Sequence, residues 1–133
     1  MHKHQLLKIT ITGLVVLLLH GIFTLIGFYE RFWWFDIPMH FIGGVAIAIA
    51  TYFLLQHFEQ RNLMHINSKV LYFLIVIAIV GLSASAWEIF EFYIDILAHA
   101  EMQMSLKDTL KDIGVGLLGG SIITSLITLK NGK

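Results

Sequence analysis

Three stretches combine carboxylates and histidine at helix-turn spacing: Asp36 and His40 in "WFDIPMHFIGG", Glu88, Glu91 and Asp95 in "SASAWEIFEFYID", and Asp108 and Asp112 in "SLKDTLKDIGVGLLGG". Residues three, four or seven apart share a helix face, so each set projects to one side of its helix. Carboxylates with one histidine form a hard, oxygen-rich ligand set suited to Mg, Mn, Ca or a mixed Zn site. The same groups serve acid/base chemistry, for which Glu88 and His40 are the catalytic candidates. His40, Glu88, Glu91 and Asp112 are the candidate ligands of a divalent cation, with Asp36, Asp95 and Asp108 as an outer shell. Helical proteins build such sites from inward Glu and His on facing helices, although the Glu-x-x-His pattern of di-iron proteins is missing here. With no Ser/His/Asp constellation and no arginine cluster for phosphate, the reaction class stays open.

Each residue also has a plainer reading. Acids are favoured at helix N-termini, which accounts for Asp36, Asp108 and Asp112 without a site, and Glu101 fits a wet loop. Glu88 is harder to dismiss, because an ionisable residue inside an apolar span is a functional candidate by default. His20 reads as a hydrogen-bonded packing residue rather than a ligand. "HKH" at positions 2 to 4 reads as a solvated tail, and Tyr29, Trp33 and Trp34 as an interfacial aromatic belt.

The elements that must position these groups follow from composition. Of 133 residues, 57% are hydrophobic and 14% charged, and the mean hydropathy is +0.79, values that place the chain among membrane proteins. Four apolar runs approach the roughly 20 residues needed to cross a bilayer. They predict helices over about 9–28, 38–56, 70–97 and 106–129. The runs are continuous rather than alternating, which excludes barrel strands and predicts an all-α, integral membrane four-helix bundle in one domain, 1–133. The first run lacks the short apolar centre and small-residue cleavage site of a signal peptide and is expected to be retained. Cysteine is absent, excluding disulfides and thiolate chemistry. The formal net charge of zero argues against nucleic acid as a partner.

Four spans place both termini on one side. Lys3, Lys8, Arg61, Lys69, Lys130 and Lys133 fall on the side of the termini, against Arg31, Lys107 and Lys111 opposite, which predicts cytoplasmic termini. The acids divide the other way: Glu59 alone is on the inner side, so the candidate site faces outward. Small residues continue the polar stripes inward, as Gly44 and Ala48 below His40, Gly116, Gly120 and Thr124 below Asp112, and Gly81 and Ser85 below Glu88. Gly13, His20 and Gly27 recur at heptad spacing in the first run. These are close-packing seams, so the polar groups are expected to face other helices. Lys107 and Lys111 sit about 100° around the helix from Asp108 and Asp112 and can snorkel outward. Clustered carboxylates then require hydration, protonation or a bound cation.

The three motifs, in order over residues 34 to 120, resemble those of the YjdF-like small inner-membrane proteins and, more distantly, the VanZ-like proteins. The resemblance implies functional roles for Asp36 and His40 in Asp-x-x-x-His-Phe-x-x-Gly, and for Glu88 and Glu91 in aromatic-Glu-x-x-Glu. It implies the same for Asp108, Thr109 and Asp112 in Asp-Thr-x-x-Asp, followed by Gly119 and Gly120. It implies a multi-pass protein of the cell inner membrane; neither group has an established reaction, and VanZ-like members are associated with altered glycopeptide susceptibility. Four functions fit these expectations: an outer-leaflet enzyme with a cation as Lewis acid, a binder of a lipid-linked envelope component, a proton- or cation-linked transporter, and a structural protein with solvated acids. Membrane lipid is the expected partner in each, with a lipid-linked small molecule as ligand in the first two; a transporter this small implies a homo-oligomer.

Overall fold

The computed structural model describes residues 3–98 and 105–130. His2, Glu101 and Lys133 lie outside the described residues. Every regular element among those described is helical: α1 (Lys3–Leu25), α2 (Phe28–Arg31), a 3-10 turn (Trp33–Phe35), α3 (Asp36–Gln60), α4 (Lys69–Ala98) and α5 (Leu106–Lys130). Three stretches, Trp33–Gln60, Lys69–Leu97 and Leu106–Lys130, are long and apolar enough to cross a membrane, and α1 contributes the shorter apolar stretch Thr10–Leu25. At 1.5 Å per residue, the 25 residues of α3 or α5 exceed a hydrocarbon core of about 30 Å.

Helix ends are set by local chemistry. Gly27 takes φ +66°, a left-handed conformation that ends the first helical segment and redirects the chain into α2. Asp36 opens α3, and Pro38 falls in its first turn, where a missing N–H costs no intrahelical bond. Ser68 Oγ accepts the Leu71 N–H (3.2 Å) at the start of α4, and Ser105 Oγ accepts the Asp108 N–H (3.2 Å) at the start of α5; both are N-caps.

Helix α3 is central and packs against α5, α1 and α4, while α4 also packs on α5. The α3–α5 contact is made by absent side chains. A Cβ on Gly44 would collide with the Gly116 carbonyl, one on Gly119 with the Phe41 carbonyl, and one on Gly120 with the Val80 methyls. On α4 the buried face runs through Tyr72, Val76 and Val80 up to Glu88, whereas Gly81 and Ser85 are only half-buried. The expected small-residue seam on this helix is thus displaced to a β-branched face, which fills the wider gap to α3 and α5. Large apolar side chains such as Leu74, Leu82, Leu118 and Leu126 point outward, while Glu88, Glu91 and Asp112 are buried. That inversion of the soluble-protein pattern is the arrangement a lipid solvent requires.

Candidate functional site

The start of α3, the far part of α4 and the start of α5 come together at one end of the helices, with His40 between two groups of acids. Asp36, His40 and Asp112 form one trio, and His40, Glu88 and Glu91 a second; within each, donor atoms lie within 4.8 Å of one another. His40 Nε2 faces Asp36 Oδ1 at 3.2 Å, and its Nδ1 faces Glu88 Oε1 at 3.9 Å. Trp87 Nε1 donates to Glu91 Oε1 at 2.8 Å. Asp36 thus touches His40 directly, and Asp112 meets His40 in the trio away from Glu88 and Glu91. Asp95 and Asp108 belong to neither trio.

Lys111 does not snorkel away. Its Nζ lies 2.6 Å from Asp108 Oδ1, 3.1 Å from Asp112 Oδ1 and 3.6 Å from Asp36 Oδ2. Its Cα sits on a neighbouring face of α5, but the four-carbon stem reaches back over the turn, and the glycine-mediated approach of α3 brings Asp36 within range. The aspartates thus have an ammonium among them that sequence spacing assigned to the surface.

Two further side chains enlarge the site. His20, read in the sequence as a hydrogen-bonded packing residue, shares a 2.9 Å hydrogen bond with the Tyr29 hydroxyl through Nδ1, meets the Trp87 ring edge-on at 4.9 Å, and directs Nε2 to within 4.0 Å of Glu91 Oε1. Tyr29, read as part of an aromatic belt, is half-buried. Burial, with Asp36 and Glu91 nearby, pushes its phenol above its ordinary value, so it stays protonated and able to donate. With Tyr29 as donor, the His20 proton resides on Nε2, aimed at Glu91. A polar residue in the middle of α1 was the sequence signal for His20, but only the turn at Gly27, which folds α2 back, reveals its partner. Trp33 and Trp34 are exposed, as a belt requires.

Two cavities meet at His20. One, of about 420 Å³, is a polar mouth lined by Tyr29, Asp36, Glu91, Lys107, Asp108 and Lys111 among others. The other, of about 300 Å³, is an almost wholly apolar slot running along α1 and α3 beside Trp87, with His40 and His20 in its wall. This arrangement can hold a cation among His40 and its acids, move protons among neighbouring carboxylates and imidazoles, and admit an amphipathic molecule from the bilayer side.

Neither the curated proteins nor the solved structures include a significant match to the chain. A family model described as "Predicted membrane protein (DUF2238)" matches residues 3–132, nearly the full length. On that match, together with three membrane-length apolar helices, the chain is a multi-pass membrane protein that belongs to the DUF2238 family.

Proposed function

We propose that the protein is a four-span, four-helix bundle with cytoplasmic termini, related within its family to the YjdF-like proteins, whose outward-facing site binds a divalent cation between His40, Glu88 and Glu91. The cation would present a Lewis acid to an oxygen-rich group at the membrane boundary. The observation that carries this reading is the orientation of His40: Nε2 faces Asp36 at 3.2 Å while Nδ1 faces Glu88 at 3.9 Å. A carboxylate on one ring nitrogen holds the proton there and leaves the lone pair of the other free, the arrangement typical of metal-binding histidines. Two ligands bonded at about 2.0–2.6 Å to one ion lie roughly 3–5 Å apart, so the spacing in this trio needs little movement. A cation there would also offset the cost of burying two carboxylates side by side. Lys111, by contrast, already serves the aspartate side, which makes that trio the weaker ion site.

Mn²⁺ titration of the purified protein, followed by the electron paramagnetic resonance of free Mn²⁺, tests the reading. One ion per chain is expected, lost in Glu88→Gln and Glu91→Gln and kept in Asp112→Asn. If no divalent ion binds or raises thermal stability, a proton-sharing carboxylate network replaces the metal site.

A further inference from the structure

Two groups of glycines stand apart by what surrounds them. Gly44, Gly119 and Gly120 have no room for a Cβ because another helix occupies it. Gly13 and Gly43 are different: a Cβ on either would meet nothing within 4 Å, yet both line the apolar slot. Helix packing does not require their lack of a side chain, and at these two positions a side chain would enter the slot. The slot spans about ten residues of α3, from His40 to Ala50, or about 15 Å along the axis. Its volume of about 300 Å³ is at the small end for ligand sites. Helices α1 and α4 flank it without packing along one another and meet where His20 touches Trp87, so its long side is open toward lipid.

We propose that this slot holds one hydrocarbon chain of a membrane amphiphile and that the polar mouth above it receives a phosphate-bearing head; the head assignment rests on the cation reading of the His40 site. His20 lines both cavities, and this adjacency of an apolar slot and a polar mouth carries the amphipathic character. An ion at His40, Glu88 and Glu91 together with Lys107 at the mouth supplies positive charge for a phosphate, while Ser105 offers a hydroxyl donor to its oxygens. Inside a bilayer, transferring a chain from lipid to slot gains almost nothing from the hydrophobic effect, because both surroundings are apolar. The slot therefore acts by placement: it fixes where the chain ends and hence which head atoms meet the ion. Selectivity comes from the head.

The test uses Trp87, which lines the slot. Trp33→Phe with Trp34→Phe leaves it as the sole indole of the three in the chain. In phosphatidylcholine nanodiscs containing Mg²⁺, a dodecyl phosphate brominated at the end of its chain should quench Trp87 saturably, at one probe per chain. Gly43→Leu, which fills open space rather than a packed contact, should weaken that saturation by tenfold or more while leaving thermal stability and Mn²⁺ stoichiometry unchanged. Unbrominated dodecyl maltoside should compete poorly. Unsaturable quenching, or a curve unaffected by Gly43→Leu, means bulk lipid contact and overturns the slot while leaving the cation site intact. Equal competition by the maltoside overturns the phosphate head. Saturable, Gly43-dependent quenching in a protein that binds no Mn²⁺ upholds the slot and removes the cation reading.

Discussion

Replacing Asp36 by asparagine separates the two candidate ion sites that share His40. The new side-chain amide can still accept the His40 Nε2–H through its carbonyl oxygen, so the 3.2 Å contact and the tautomer survive while the negative charge is lost. An ion bonded to Nδ1 lies across the ring from Asp36, roughly 7 Å from its carboxylate, and at an effective dielectric of about 20 a divalent charge there gains about 5 kcal/mol from that carboxylate. Lys111, 3.6 Å from Asp36, repels the ion equally in wild type and variant, but the Asp36 side chain is a quarter exposed and water screens its charge. What remains is of the size seen when a carboxylate behind a ligand histidine is removed, a 10- to 100-fold loss of metal affinity, or about 1.4–2.8 kcal/mol. Mn²⁺ binding isotherms on Asp36→Asn, Asp112→Asn and Glu88→Gln measure it. The expected order of loss is Glu88→Gln greatest, Asp36→Asn intermediate and Asp112→Asn least. An isotherm unmoved by Glu88→Gln but abolished by both aspartate changes would refute the reasoning and put the ion on the Asp36–His40–Asp112 trio.

Neighbouring glycines should respond oppositely to one methyl group: Gly44→Ala, which meets the Gly116 backbone, should cost about 1–3 kcal/mol or prevent accumulation of folded protein, whereas Gly43→Ala should be near neutral in thermal melts. Tyr29→Phe removes the 2.9 Å bond to His20 and should lower stability by about 1 kcal/mol. Because the Tyr29 phenol is pushed above its ordinary 10.0, its contribution is fully present below that pH and is lost as pH rises past it, which alkaline melts of wild type and variant can compare. A cysteine placed at Asn62 should be labelled only from the cytoplasmic side and one at Ser105 only from outside; the reverse pattern inverts the site. At equal abundance, Glu88→Gln should impair any cellular phenotype of the protein far more than Glu101→Gln, and equal tolerance would leave Glu88 a structural residue.

Helicity and membrane character were legible because they depend on what each residue is: uninterrupted apolar runs admit no other satisfied backbone in lipid. The pairing of Asp36 with His40 was legible for a similar reason, since four-residue spacing forces both onto one helix face. The fate of Lys111 was not, because spacing locates its Cα while its flexible stem decides where the charge goes, and that depends on how near α3 lies. How near it lies is set by Gly44 and Gly119 against Gly116 and Phe41, a contact between segments some seventy residues apart. That His20 packs and hydrogen-bonds was legible, but its partners were not, because they come from α2 and α4 and no periodicity within α1 encodes them. Gly13 reads in the sequence as part of a packing seam and Gly43 carries no signal of its own; only coordinates distinguish a glycine that admits a helix from one that leaves a space.

The same packing bears on whether the acid site could serve a path through the membrane. Toward the opposite end of the helices lies a second polar group, in which Gln56 hydrogen-bonds the Tyr52 hydroxyl and the Tyr52 ring meets Tyr72 edge-on. Between that group and His40 stand Ala48, Val76 and Val80, each with at most 1% of its surface accessible. Thr124, buried beside this layer, commits its one hydroxyl proton to the Gly120 carbonyl at 2.6 Å. A proton or ion leaving Glu91 inward would have to cross that dry layer, where an unpaired charge costs several kcal/mol at the least. The lateral slot does not bypass it, since its wall is apolar from His40 to Ala50. The geometry therefore favours chemistry or binding confined to one membrane face, with traffic entering from the lipid side, over transport along the helix axis.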